Sequence, residues 1–385
     1  MPDKHLHIVA FDIPYPPNYG GVIDVWFKIK ALHRQGIKIH LHCFEYPGRT
    51  QKEELHKYCE EVHYYPRKLG LRQAFSLKPY IVATRKNDVL IQRLKKDEHP
   101  VLFEGLHSCF YIADPDLSRR TKIFRECNIE HRYYYNLFKT SRKPYLKTYY
   151  LLESIKLRFF EKKAIKSGIT AAISMADQKE LQKRYPHHDI ELVQGFHANE
   201  KILSKPGRGD YILYHGNLEV PENEKAALFL LQKVFSQNSF RLIIAGMNPR
   251  KHLIKAVEKC ATATLIANPD QDKMDELVAN AHINLLVTFQ ATGLKLKLLN
   301  ALHRGRFTLV NDFMVRGTHL EGLCNVANTP REIIQKINDL FQKDFSADKI
   351  SERKEHLLQY YSNTKNARKL SSIIWDQDQQ NNTST

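Results

Sequence analysis

The residues with the clearest chemical potential lie at 292–300, Thr292-Gly293-Leu294-Lys295-Leu296-Lys297-Leu298-Leu299-Asn300. The spacing of Leu294, Leu298, Leu299 and Leu302 predicts an amphipathic helix over 294–304 that stops at Gly305 and leads into a buried strand, Phe307 to Val310. A short loop running into a helix start presents free backbone N–H groups and the positive end of the helix dipole, which suits an anion. Lys295 and Lys297 in the first turn oppose that dipole, so a bound polyanion such as a phosphate explains them better than helix stability does. On charge alone, a solvated helix start with two surface lysines is the simpler reading, and the rest of the chain has to decide between them.

A second constellation sits near the N-terminus. The apolar run Leu6 to Phe11 reads as a buried strand, followed by the Pro-rich turn Asp12 to Tyr19 and then Gly20-Gly21. A helix over Val22 to Gln35, capped by Gly36, and a strand over Lys38 to Phe44 complete a βαβ unit. Two glycines at the loop–helix junction let a ligand approach the backbone closely, although no Gly-x-Gly-x-x-Gly fingerprint is present.

These motifs need elements to position them, and the chain has room for two sets. Its 385 residues exceed one typical domain. The first series of strands continues with Glu61–Tyr65, Val101–Glu104, Lys122–Arg125, Ile169–Ser174 and Ile190–Val193. Tyr133 to Lys166 reads as a long helical region and Met175 to Tyr185 as a helix. A second series has strands at Tyr211–Tyr214, Arg241–Ala245, Thr262–Ile266, Ile283–Val287 and Phe307–Val310, separated by helices over 222–235, 249–259, 272–280 and 294–304. Short apolar strands alternating with helices predict a doubly wound parallel sheet in each half. The expected organisation is an N-terminal domain over 1–200, a polar Gly/Pro-bearing linker over 201–210 and a C-terminal domain over 211–348. A C-terminal helix over 349–376 is expected to pack back toward the first domain, ahead of a frayed polar tail over 377–385.

The composition is that of a soluble protein, with 42% hydrophobic residues and no apolar run long enough for a bilayer. The N-terminus enters a strand at once, so no signal peptide is expected. Six dispersed cysteines with no Cys-x-x-Cys pair fit reduced thiols in a cytoplasmic protein, and the 19 histidines show no His-x-x-x-His face, so no metal is expected. The formal charge of +17 is concentrated: residues 67–96 carry +8 and residues 131–167 another +8. A cationic surface of that density attracts phosphate-rich partners, either nucleic acid or an anionic membrane face.

Four stretches carry a resemblance. Pro14-Tyr-Pro-Pro-Asn-Tyr-Gly-Gly-Val resembles the first loop of glycosyltransferase family 4, whose glycines lie against the donor phosphates. Leu213-Tyr-His-Gly-Asn-Leu with Pro221-Glu-Asn223, and Leu242-Ile-Ile-Ala-Gly-Met-Asn-Pro, resemble the opening strands of that family's donor domain. Thr292-Gly-Leu-Lys-Leu-Lys-Leu-Leu-Asn-Ala-Leu resembles its Gly-x-Lys-x-Lys-x-x-Glu-Ala-Met helix start. The resemblance implies the GT-B fold: two Rossmann-like doubly wound α/β domains facing a central cleft. It implies transfer of a sugar from a nucleotide-diphosphate sugar, with retention, to a glycan or lipid-linked acceptor in cell-envelope polysaccharide or glycoconjugate synthesis. It places Gly20, Gly21, Gly216, Asn217, Gly246, Thr292, Gly293 and Asn300 at the nucleotide sugar, Lys297 and then Lys295 at its phosphates, and His107, after the strand Val101–Glu104, toward the donor sugar. Glu104 and the stretch Glu130-His131-Arg132 are weaker candidates. The family carries two glutamates where this chain has Thr292 and Asn300. An amide at 300 can still bond a ribose diol but gives up a charge-assisted bond worth on the order of 1–2 kcal/mol.

Such a transfer needs positive charge at the leaving phosphate, and in a retaining enzyme of this type the departing phosphate can itself take the acceptor proton, so no dedicated protein base is required; no metal or cofactor is expected. The basic, aromatic-bearing segments 67–96 and 131–167 read as solvated helix faces, as a peripheral dock on the inner face of the plasma membrane, or, last, as a nucleic-acid surface. A catalytically inactive sugar-nucleotide-binding or assembly protein remains the competing function, with a GT-B epimerase or phosphorylase as another enzyme reading.

Overall fold

The computed structural model describes residues 3–46, 48–141, 143–236, 238–289 and 296–376. They fall into two compact units: residues up to Ala198 together with those from Tyr361 onward, and the residues between.

In the first unit, His5–Ala10 (β1), Lys38–Phe44 (β2), Glu61–Tyr65 (β3), Val101–Glu104 (β4), Lys122–Glu126 (β5), Ile169–Ala172 (β6) and Ile190–Leu192 (β7) form one sheet in the order β3-β2-β1-β4-β5-β6-β7. All pairs are parallel, with Ile8 opposite Leu41 on one side and Leu102 on the other. A sheet covered on both faces needs apolar side chains at both parities of each strand. Leu6, Ile8, Ala10, Ile39 and Leu41 point into one core, and Val9, Phe44, Val101, Phe103 and Phe124 into the other. The strand order reverses between β1 and β4, the place where a doubly wound sheet opens a crevice at its carboxyl edge.

The second unit repeats the plan. Ile212–His215 (β8), Leu242–Gly246 (β9), Ala263–Ala267 (β10), Ile283–Leu286 (β11), Phe307–Val310 (β12) and Asn325–Val326 (β13) lie in the order β10-β9-β8-β11-β12-β13, all parallel. Its switch point lies between β8 and β11. The two-residue β13 was not legible as a strand in the sequence.

Two helical stretches break where apolar spacing alone predicts continuity. The region 133–166 is a helix Glu130–Thr140 and a second one, Pro144–Lys166. Ser141 takes an extended conformation, and Pro144 can occupy a first helical turn but not a helix interior. Ala347–Tyr360 and Asn363–Trp375 likewise part before Ser362, whose hydroxyl caps the second of them by accepting the Lys365 N–H. The first of these two helices belongs to the second unit and only the other returns to the first unit. There Ala367, Leu370 and Ile374 enter the core beneath β1 and β2, and Ser371 donates to Gln35 at 2.7 Å. The stretch 201–210 is held against the second unit: Leu203 N–H donates to the His303 carbonyl at 2.6 Å, Gly207 pairs with Phe345, and Arg208 meets Asp344.

Candidate functional site

Each unit places candidate residues at the carboxyl edge of its own sheet, at its switch point. In the second unit, β8 ends in His215, and Gly216 and the exposed Asn217 follow. Asn217 accepts the Glu219 N–H at 3.1 Å, and its carbonyl accepts the Asn223 amide at 2.9 Å. Gly246 ends β9 so close to this turn that a Cβ there would lie 1.8 Å from the Gly216 carbonyl oxygen, so glycine at 246 allows the close approach of two strand ends, while a Cβ on Gly216 would lie 3.2 Å from the Asn223 side chain.

The helix Leu296–Arg304 brings Lys297 to the same edge. Its Nζ donates to Asn223 Oδ1 at 3.2 Å and lies 5.3 Å from the centre of the Tyr214 ring. Tyr214 in turn donates to the Asn223 carbonyl at 3.0 Å. The buried His215 is pushed down from 6.5 to about 3, first by desolvation and then by the Lys297 cation, so its ring is neutral near pH 7. Its Nε2 is buried and has no hydrogen-bond partner among the described residues. A buried polar atom left unpaired costs stability unless a ligand or water meets it. Asn300, one turn on from Lys297, is half-buried. Thr292, Gly293 and Lys295 lie outside the described residues.

Amide, hydroxyl and carboxylate hydrogen bonds hold this edge in place. Asn311, after β12, donates to the Thr288 carbonyl at 2.6 Å and accepts the Thr288 N–H at 3.1 Å, clamping the turn after β11. The Thr288 hydroxyl meets Glu222 in the first turn of the helix Pro221–Lys233.

In the first unit the edge is built from charge. The helix Gly20–His33 begins at the Gly20-Gly21 pair with no side-chain cap and no acid in its first turn. A Cβ on Gly21 would lie 2.6 Å from the Phe11 ring, so the helix start sits tight against the end of β1. Arg49 braces the preceding turn by donating to the Ile13 carbonyl at 2.6 Å and the Pro16 carbonyl at 2.9 Å, and Tyr19 donates to Asp12 at 2.5 Å.

Beneath the helix start lies a fully buried ionic network. Lys28 donates to Asp24 at 2.8 Å and to both Glu104 oxygens at 2.6 and 2.8 Å. Arg125 meets Asp24 at 3.3 Å and donates to the Val193, Gln194 and Ala172 carbonyls. Asp24 also accepts the Phe196 N–H at 2.7 Å. Burial opposes the charge on Asp24, but Lys28 and Arg125 hold it at about 2. Glu104, weighed in the sequence as a possible site residue, is consumed by this network and pins the helix to β4.

His107 lies one turn past β4, where Gly105 takes φ +69, and its ring packs 5.4 Å from that of Phe11. Burial, then the Arg85 and Arg67 cations, hold the imidazole well below 6.5 and so neutral. Neither arginine carries a sequence signature. Arg85 is fully buried and donates to the Phe11 and Ile81 carbonyls and to Tyr46. Arg67 lies 4.2 Å over the Tyr46 ring. Glu130, the first residue of its helix, is raised to about 7 by burial and by neighbouring Glu161, so it changes charge near neutrality. His131 accompanies it as a packing residue, with Nδ1 2.9 Å from Glu161, and Arg132 pairs with Glu180. His215 did have a sequence signal, since it immediately precedes Gly216 at the strand end.

Two switch-point sheets of this order, one edge carrying a lysine and a glycine turn, define the GT-B architecture. Solved structures of that fold overlie nearly the whole chain. HepE from Anabaena, crystallised with UDP and glucose, matches with a TM-score of 0.65 at 10% identity over 96% of this chain and 99% of its own. A glycosyltransferase from Rickettsia africae matches with a TM-score of 0.65 at 11% identity over 98% and 99%. In sequence the chain is 26% identical to an uncharacterised 44.6 kDa protein of the cps region of Klebsiella pneumoniae, over 81% of this chain and 84% of that one. No protein-family profile matches the chain.

Proposed function

We propose that the protein is a glycosyltransferase that moves a sugar from a nucleotide-diphosphate sugar to a glycan or lipid-linked acceptor in cell-envelope polysaccharide synthesis. The observation that carries this reading is the second unit's switch point, where the Lys297 ammonium, the unpaired Nε2 of a neutral His215 and the Gly216 turn share one edge. Breaking the sugar–phosphate bond leaves negative charge on the diphosphate, and a preorganised cation there stabilises the transition state without reorganisation. Lys297, with Lys295, is assigned that role in a metal-independent reaction. Asn300 is assigned the ribose hydroxyls, and His107, as a neutral imidazole, a contact to the transferred sugar. UDP bound to HepE and the cps setting of the Klebsiella relative support a UDP-sugar donor and a capsule-type product. Retention of anomeric configuration belongs to the same proposal, with the departing phosphate taking the acceptor proton.

A thermal-shift screen of UDP, GDP, dTDP and CMP sugars, followed by donor-hydrolysis assays, tests the reading. One donor class should raise Tm, because a ligand that binds only the folded state stabilises it, and the same donor should turn over. Binding without turnover of any donor would favour the assembly-protein alternative.

The acceptor is proposed to be met at an anionic membrane. Phe75 and Leu77 are 84% and 97% exposed. They lie beside the helix Pro144–Lys166, to which Lys156 and Glu153 tie residues 76 and 80. Tyr145, Leu152, Ile155 and Phe159 are exposed at helical spacing along that helix, with Arg158, Lys162 and Lys163 around them. An apolar stripe flanked by cations fits the interface of an acidic bilayer. No described helix is long and apolar enough to cross a membrane. Vesicles containing anionic lipid should bind the protein, with binding falling steeply as salt rises and weakening in a Phe75→Ser, Leu77→Ser double variant. Equal binding to neutral and anionic vesicles would refute the dock.

A further inference from the structure

The histidines, dispersed in the sequence, converge in the fold. His5 and His7 alternate along β1, His40 and His42 along β2, and His63 lies on β3, all at one strand parity and so on one face of the first sheet. His99, in the loop that enters β4, covers the amino end of that face, the end opposite Gly20, Gly21 and His107.

Within this stripe, one ring nitrogen from each of His5, His40 and His99 lies within 4.8 Å of the others. His5 Nδ1 and His40 Nε2 are 2.9 Å apart. The ring centroids are separated by 5.2, 4.6 and 5.9 Å for the pairs 5–40, 5–99 and 40–99. A tetrahedral Zn2+ with Zn–N bonds of about 2.0–2.1 Å places its ligand nitrogens about 3.4 Å apart and its imidazole centroids about 5 Å apart. The three rings thus stand near zinc spacing, but their planes lie within 24° of parallel, so a tetrahedral site requires the 5–40 pair to open and the rings to turn until their nitrogens converge.

The surrounding groups suit a metal more than a chain of imidazole hydrogen bonds. His40 can ligate through Nε2 only if its proton sits on Nδ1, and Nδ1 lies 3.3 Å from Glu61 Oε2, the carboxylate–histidine arrangement that fixes a ligand's tautomer. Asp97 is held elsewhere, by His7 at 3.1 Å, Arg120 at 3.3 Å and the His99 N–H at 2.9 Å, so it orders the loop that carries the third ligand.

We propose that His5, His40 and His99 bind one Zn2+ ion, with Glu61 as the outer partner of His40 and water in the fourth position. The ion ties the starts of β1 and β2 to the loop before β4 and has no part in glycosyl transfer, so the proposal stands or falls independently of that activity.

Elemental analysis of the full chain, purified without a polyhistidine tag and desalted, should find about one zinc per chain. After chelator stripping, added Zn2+ should raise Tm, and Co2+ should give the visible bands of a tetrahedral site. His99→Asn, which changes a loop residue, should abolish both effects while leaving the metal-free Tm near that of the stripped wild type. His40→Gln should do the same, and if it does not fold, His99→Asn decides. Glu61→Gln should weaken Zn2+ binding by about 10–100-fold. Absence of a Tm response to Zn2+ and Co2+ in the stripped protein would overturn the proposal, as would undiminished binding by the His99→Asn and His40→Gln variants.

Discussion

The two sheets share one strand order up to their sixth strand, yet they hold their switch points by opposite means. In the first, Asp24, Lys28, Glu104 and Arg125 form an ionic network with all side chains buried. In the second, the corresponding edge is clamped mainly by single amide and hydroxyl hydrogen bonds, with Asn311 gripping Thr288, Thr288 donating to the Glu222 carboxylate and Asn223 linking Tyr214 to Lys297. A buried ion pair is expensive to form and more expensive to break on one side, whereas a neutral pair is modest in both directions. The contrast separates architecture from chemistry. In the first unit the cations near the Gly20-Gly21 helix are held by carboxylates and carbonyls, while in the second Lys297 donates to the Asn223 side chain and lies over the Tyr214 ring.

The largest expected effect follows from that difference. Lys28→Met leaves Asp24 and Glu104 buried and short of a cation, and should destabilise the first unit by about 3–5 kcal/mol. Asn311→Ala in the second unit removes two hydrogen bonds and should cost only about 1–3 kcal/mol. Both are read by urea or thermal unfolding, and equal losses would erase the distinction between the edges.

Next in size is the contribution of one second-unit histidine to the acid sensitivity of the fold. The unfolded chain protonates His215 near 6.5, whereas the folded protein does so only near 3. The unfolded state therefore binds more protons across that interval, and stability falls as pH drops from 6.5 toward 3. By pH 4 this one group accounts for on the order of 3 kcal/mol. His215→Gln should make the stability–pH curve less steep in that window, and a curve parallel to wild type would contradict the burial assigned to the ring.

The smallest effect sharpens the assignment of the donor side. Asn300→Glu introduces a carboxylate at a half-buried position in the helix Leu296–Arg304, and should tighten nucleotide binding by about 1–2 kcal/mol, roughly tenfold, by titration calorimetry. Unchanged affinity would remove residue 300 from the ribose contact.

Much of the architecture was legible because strands covered on both faces leave continuous apolar runs. Lys38–Phe44, Glu61–Tyr65, Val101–Glu104 and Phe307–Val310 coincide with the observed strands end to end. Helix breaks were less legible, since the parting at Ser141 rests on one extended residue and a proline rather than on a change of apolar spacing. The ionic network was hidden for a different reason: Lys28 and Glu104 are 76 positions apart and Asp24 and Arg125 are 101, so no sequence spacing joins them. The histidine face did leave a trace, His-x-His at 5–7 and again at 40–42, a period of two that only strand geometry turns into a cluster. Of the candidate residues, Lys297, Gly216 and Gly246 share an edge in the second unit, and Gly21 and His107 both pack on Phe11 in the first, whereas Glu104 is a structural ion-pair partner.

The assignment of the second unit's edge to a donor diphosphate is tested most directly by titrating UDP into the wild-type protein and into Lys297→Ala, with Tm recorded for both. Wild type should bind one equivalent, with affinity falling as salt rises, and Lys297→Ala should bind at least about tenfold more weakly at an unchanged ligand-free Tm. Equal affinities for the two proteins would contradict the assignment of Lys297 to the diphosphate.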